Sequence, residues 1–360
     1  MNQLRNFFRV GPARNDHHAA LRCAVNVGVP LLTLLALGHT ELAIFASFGA
    51  FTAIYGRGTA HRQRLAHQGK AGALMLVTIL AGDLTGLLGA GAWGIVVGTT
   101  IVAGAGTLAT GFGRLKPGGS LFQIFGFAAV ASLPVHPPLG PSMLAAALTV
   151  IFSLLVGQST WLWPHWRTPW LRVREPRLTA QERRFVYDDA VRYALAVFAA
   201  GSIATLMGIG HNYWAMVAAA VPLVGQTLAH RVTRGVHRIL GTFGGLGVLA
   251  LLLMPPSNNL YLVLVVAGLQ FMAEMFIARH YSLAQLFVTP LALLMTQLGH
   301  RSDPDVLISD RATETIIGAL VGMAVVVALS RWPNAQGQGS PRRAGIHSET
   351  RVHGGHGQLH

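Results

Sequence analysis

Long apolar runs separated by short gaps, with almost every Lys and Arg confined to alternate gaps, limit what this chain can fold into. The basic gaps begin with the N-terminal arm (Arg5, Arg9, Arg14) and continue with Arg57, Arg62, Arg64 and Lys70, then Arg114 and Lys116. The long central gap holds Arg167, Arg172, Arg174, Arg177, Arg183 and Arg184. Arg231, Arg234 and Arg238 follow, then Arg279, then the tail with Arg331, Arg342, Arg343 and Arg351. The intervening gaps hold only Arg301 and Arg311, while Arg22 and Arg192 lie just inside runs, near the basic side. Cationic connections stay on the cytoplasmic face of a bilayer. The pattern therefore predicts a multi-span protein of a cell (inner) membrane, with both termini and the central linker cytoplasmic.

Composition supports this reading. Hydrophobic residues make up 52% of 360 and charged residues 11%, against about 25% charged in an ordinary soluble domain. The formal net charge of +14 could suggest nucleic acid. Its distribution over loops that flank apolar runs, rather than on one face, argues against that partner. The single cysteine, Cys23, excludes an intrachain disulfide and a cysteine-based zinc site, and it reads as a small packed side chain. The first apolar run follows three arginines and an Asp without a clean small-residue cleavage site, so it reads as a retained span.

Twelve runs emerge, near 19–37, 41–55, 70–88, 91–112, 120–133, 139–163, 187–207, 211–226, 236–254, 259–277, 281–299 and 311–330. Unpaired backbone is too costly in lipid, so each is expected as helix and the fold class as all-α integral membrane. The two halves look like copies. Arg22 and Arg192, Gly38 and Gly210, and His61 and His230 stand at offsets of 170, 172 and 169 residues. Six spans per half is an even number, which predicts two parallel six-helix repeats. The expected organisation is a basic arm at 1–18, a first repeat at 19–163, a linker at 164–186, a second repeat at 187–332 and a polar tail at 333–360. The tail carries His347, His353, His356 and His360. It reads as a disordered segment, with metal capture as the alternative reading.

The second run of each half is short. About 15 residues reach about 23 Å, less than a bilayer core of about 30 Å. Matching short segments in two repeats point to a transport site. Both begin with polar residues, His39 and Glu41 in one, His211, Asn212, Tyr213 and Trp214 in the other; for Tyr213 and Trp214 an interface anchor is the alternative. Pro134, Pro137 and Pro138 end the fifth run, and Pro222 and Pro290 can free backbone carbonyls. Ionisable residues within runs are few: Arg22, Asp83, Arg192, Glu274 and Glu314, with Glu41 at a boundary. Arg22 and Arg192, facing one cavity, would favour a carboxylate substrate; the alternative is snorkelling to the surface. Glu41, Asp83 and Glu274 are candidates for a coupling proton.

Gly241, Gly244, Gly245 and Gly247 lie inside a run, where close helix contact explains them better than a nucleotide-binding turn. No nucleophile-elbow, H-E-x-x-H or phosphate-loop pattern occurs, so an enzyme is not expected.

The stretch His211-Asn-Tyr-Trp-Ala-Met-Val-Ala-Ala-Ala-Val, the basic loop with Arg231 and Arg234, and Arg238-Ile-Leu-Gly-Thr-Phe-Gly-Gly resemble the fusaric acid resistance protein-like family, which belongs with the aromatic acid exporters. Arg238, Gly241 and Thr242 match the family's start of the following span. A faded copy lies in the first half, Glu41-Leu-Ala-Ile-Phe-Ala-Ser-Phe-Gly-Ala, then Arg62, Lys70 and Gly72. Many exporters of the family carry a sizeable cytoplasmic domain; this chain has a linker of about 23 residues and a short tail. The resemblance implies efflux of aromatic carboxylic acids, driven by the proton gradient, with a passive anion channel or a membrane scaffold as alternatives. Arg22, Arg192, Arg238, His39, His211, Tyr213 and Trp214 are the candidate substrate residues. The expected partners are a small organic anion, the bilayer and, in a homo-oligomer, further copies of the chain; no cofactor is expected.

Overall fold

The computed structural model describes residues 16–162, 167–170, 177–210, 212–225, 227–255, 258–299 and 304–331. Among them the chain forms twelve α-helices and no strand. The first six are α1 (Asp16–Ala36), α2 (Ala43–Ala50, flanked by 3-10 turns Thr40–Leu42 and Phe51–Ile54), α3 (His61–Leu87), α4 (Ala92–Phe112), α5 (Leu121–Ala131) and α6 (Leu139–Gln158). The second six are α7 (Ala180–Leu206), α8 (Tyr213–Ala220), α9 (Leu228–Leu253), α10 (Asn259–Ile277), α11 (Tyr281–Gly299) and α12 (Pro304–Ala328). Nine of the described helices are long and apolar enough to cross a membrane by themselves; α2, α5 and α8 fall short of that length.

Several helices start earlier than hydropathy suggests. α3 begins at His61 and takes in the basic stretch up to Lys70. α7 begins at Ala180, inside the expected linker, because Thr179 and Glu182 form a capping box in which the Thr179 hydroxyl accepts from the Glu182 N–H. Hydropathy marks the lipid-embedded part of a helix, while capping marks its true start. The α5–α6 prolines end the fifth run as expected, α5 stopping before Pro134 and Pro138 capping α6; α8 ends just ahead of Pro222, and Pro290 stands inside α11.

The helices sort into two layers. Every residue of α2 and α8 is buried, as are eight of the eleven in α5, Gln123 through Ala131 with the exception of Phe125. Among the described residues, no large exposed hydrophobic side chain lies on α2, α5, α8 or α11, whereas α1, α3, α4, α6, α7, α9, α10 and α12 carry many, such as Val77, Ile101, Leu148, Phe198, Phe243 and Leu264. An apolar face turned outward on eight long helices is what lipid demands. Together with the hydropathy of the nine long helices this makes the molecule a multi-pass membrane protein.

Within that frame α3 packs on α5 and α6, and α9 on α11 and α12; α2 lies on α6 and α8 on α12. The long cross-contacts join α4 to α7 and α1 to α10. Small residues set the close contacts. A Cβ on Gly241 would lie 2.6 Å from the Ser282 carbonyl oxygen, and one on Gly245 would lie 2.7 Å from Thr289 Cβ, so the α9 glycines serve close approach to α11.

Among the described residues, the basic gaps meet at one end of the bundle. Asp16 at the start of α1 receives Arg57 at 2.8 Å and Arg279 at 2.9 Å. Arg64 donates to the Gly157 carbonyl at 2.9 Å, Lys70 to that of Gly113 at 3.4 Å, and Arg231 lies 3.5 Å from Asp189. At the other end, His136 in the α5–α6 connection bonds Asp83 at 2.8 Å, and His39 bonds Glu41 at 3.0 Å.

Candidate functional site: an arginine-floored aromatic cavity

A cavity of about 730 Å³ runs inward from the cationic end, within the size range of small-ligand sites. Its mouth is set by Arg57, Arg114, Lys116 and Arg234, and its deeper wall by Phe122, Phe125, Gln270, Gln285, Trp214, Arg238 and Arg311. The short helices supply its centre. α2 and the turn after it bring Phe51 and Ile54, and α8 brings Trp214 and Val217.

The aromatic wall is one continuous cluster. Phe48 meets Phe125 edge-on at 4.9 Å between ring centroids, Phe51 meets Phe122 at 5.3 Å, and Phe125 meets Trp214 at 4.8 Å. Contacts of this kind add about 0.5–1.5 kcal/mol per pair beyond area burial. The Arg311 guanidinium carbon stands 3.8 Å above the Trp214 ring, a cation–π contact of about 2 kcal/mol when desolvated. Arg238, 3% exposed, donates from Nη1 to the Gln285 side-chain oxygen. At the mouth, Arg57 sits between Gly56 and Gly58, both at φ +73. It reaches the Glu274 carboxylate at 3.1 Å while also holding Asp16.

Of the residues singled out in the sequence, Arg238, Trp214 and Glu274 line this cavity. Tyr213 is buried behind Trp214, its ring centroid 4.8 Å away. Tyr213 and Trp214 are only 5% and 2% exposed, which overturns the interface-anchor alternative. Arg22 and Arg192 are not among the lining residues. Arg22 is half-buried on α1. Arg192 is held by Asp189, one turn earlier on α7, at 3.4 Å. His39 and Glu41 pair with each other, largely exposed, at the opposite end. Asp83 is fully buried but bound to His136 and also at that end. His211 and the tail histidines lie outside the described residues. No cluster of three or more metal-ligating side chains occurs among the described residues.

The sequence places Arg311 at the edge of a gap, whereas the helix extends past it on the N-terminal side. Arg311 lies inside α12, 1% exposed, at the floor of the cavity. Gln270, Gln285 and the Phe122/Phe125 pair are not among the candidate residues of the sequence, and Arg57 figures there only as a loop cation. The polar glutamines within otherwise apolar runs were the signal available for two of them.

Guanidiniums set among aromatic faces, in a deep recess with a cationic mouth, suit an amphipathic anion: the charge meets the arginines and the ring meets the phenylalanines. Such a recess in a multi-pass α-helical membrane protein is what a small-molecule transporter requires. Residues 198–325, from within α7 into α12, match the model of the fusaric acid resistance protein-like family, so the resemblance read from the Tyr-Trp span and the Arg238 segment holds. A stretch of 143 residues is 29% identical to YvaC of Bacillus subtilis (strain 168), an uncharacterized membrane protein. The match covers 39% of this chain and only 23% of the length of that relative. No solved structure matches the chain.

Proposed function

We propose that this protein exports aromatic and related organic carboxylic acids across the cell (inner) membrane, with the cationic end of the bundle facing the cytoplasm. The observation that carries the reading is the cavity itself, open at the cationic end, with Arg238, Arg311 and Trp214 beside the phenylalanine wall at its floor. The family match supports a transporter. The positive-inside rule supports the orientation, because the basic gaps gather at one end of the bundle. The inside-negative potential then favours outward movement of an anion by about 2.3 kcal/mol per charge per 100 mV.

The same reading includes two parallel six-helix repeats. It is supported by packing partners that recur six helices apart: α3 with α5 and α6 against α9 with α11 and α12, and α4 with α7 against α10 with α1. Export is proposed to be driven by the proton gradient, with Glu274 as the coupling carboxyl. Of Glu41, Asp83 and Glu274, only Glu274 lines the cavity, and its ion pair with Arg57 ties the mouth loop to α10.

The test is a panel of weak aromatic acids applied to cells with and without the protein, followed by efflux of a radiolabelled acid. Cells that express the protein are expected to tolerate at least one aromatic acid better and to lose that advantage with Arg238→Gln. Efflux is expected to stall when a protonophore is added while the anion gradient is held. Unchanged tolerance across the panel would sink the exporter reading, and efflux indifferent to protonophore would replace the carrier by a channel.

A further inference from the structure

Building on the organic-anion reading of the cavity, we propose that Arg238 and Arg311 form a two-guanidinium subsite whose favoured ligand is an aromatic dicarboxylate rather than a monocarboxylate. The argument starts from charge. Both arginines line the same cavity, from α9 and α12, and are only 3% and 1% exposed. The groups that hold them are neutral: Gln285 accepts from Arg238, and the Trp214 ring lies under Arg311. Nε of Arg238, and Nε and Nη1 of Arg311, have no hydrogen-bond partner.

Among the described residues, no carboxylate oxygen lies within 4 Å of either guanidinium. The two acids in the lining are engaged elsewhere, Glu274 with Arg57 and Glu182 in the capping box at Thr179. Glu314, one turn along α12 from Arg311, is fully buried and not among the lining residues. Two desolvated cations therefore face one space with no carboxylate in contact with either, Glu314 acting on Arg311 only from beyond contact distance, and their open N–H donors are completed only when something anionic enters.

A single carboxylate matches one planar guanidinium bidentately and leaves the other unmatched. A dianion answers both. The walls then define what joins the two carboxylates. The two subsite arginines come from the second half of the chain, and the packed rings of Phe51, Phe122 and Phe125 from the first half line the same cavity. A flat aromatic spacer stacks on those rings while its carboxylates point to α9 and α12.

The experiment is calorimetric titration of the full-length protein in lipid nanodiscs with benzoate and with phthalate, isophthalate and terephthalate, at neutral pH where all are ionised. At least one dicarboxylate is expected to bind about tenfold or more tightly than benzoate, one additional charge-assisted pair being of that order. Arg311→Gln and Arg238→Gln, checked for an unchanged gel-filtration profile, are each expected to bring that dicarboxylate to within about threefold of benzoate. The wild-type comparison decides the matter even where a variant does not fold. Benzoate binding as tightly as all three dicarboxylates would overturn the subsite while leaving the organic-anion reading intact. Absence of binding by any of the four would overturn both.

Discussion

Arginines that look alike in the sequence differ in what surrounds them. Arg192 has Asp189 one turn away and Arg231 beyond it, whereas Arg238 has a glutamine and an open cavity. Arg192→Gln is therefore expected to lower stability, by about 1–3 kcal/mol as for other lost charged hydrogen bonds, with little change in transport per folded molecule. Arg238→Gln is expected to do the reverse, cutting transport about tenfold or more while melting near the wild-type temperature, because it removes a desolvated cation that has no carboxylate partner. Thermal-shift measurements beside proteoliposome flux separate the two; equal effects of both variants on flux would contradict the assignment. This distinction could not be read from the sequence. The recurrence of Arg22 and Arg192 in the two halves suggested function, but Asp189 neutralises one of them. Arg311 stands in a stretch polar enough to pass for a loop, and its burial depends on Trp214, which is far from it in the sequence.

Helices bring a second kind of constraint. Each of the twelve expected segments is helical and the boundaries of α11 agree to the residue, but only nine have the length of a membrane span. Hydropathy could not separate helices that face lipid from those that face protein, because both are apolar and only packing partners tell them apart. The short second run of each half was the one legible hint, and α2 and α8 are indeed the wholly buried elements. Glycines within the runs reveal the contacts. Gly241→Ala on α9 would drive a methyl to 2.6 Å from the Ser282 carbonyl oxygen, whereas at Gly247, six residues along the same helix, there is nothing within 4 Å. Gly241→Ala is expected to destabilise by about 1–3 kcal/mol through overpacking. Gly247→Ala is expected to be neutral or stabilising by up to about 1 kcal/mol through helix propensity. Midpoints of heat-induced aggregation in detergent would show the contrast, and equal shifts would refute the α9–α11 contact.

For the whole molecule, the distribution of charge makes two measurable statements. Cys23 is the sole cysteine and is buried, so Cys23→Ser provides a background for single-cysteine labelling. Gln181 and Val135 are exposed near opposite ends of the bundle. Gln181→Cys is expected to react with an impermeant maleimide only from the cytoplasmic side and Val135→Cys only from the other; labelling of both from one side would refute the proposed orientation. The cationic mouth, Arg57, Arg114, Lys116 and Arg234 against Glu182 and Glu274, is expected to speed anion capture at low salt. Raising ionic strength from about 0.05 to about 0.5 M should slow capture several-fold, and a rate independent of salt would remove steering from the account. This global pattern was the most legible of all, because the positive-inside rule acts on loops one at a time and needs no knowledge of packing.

The layering also governs how such a chain enters a bilayer. Eight-residue helices rise only about 12 Å, well short of a hydrocarbon core of about 30 Å, so α2 and α8 are poor candidates for independent insertion. Their largest packing partners are α6 and α12, long helices that follow them in the chain, so they are expected to settle last. Each half is thus completed from its C-terminal end, and a chain truncated before α12 leaves α8, with the Trp214 floor of the cavity, without its main support.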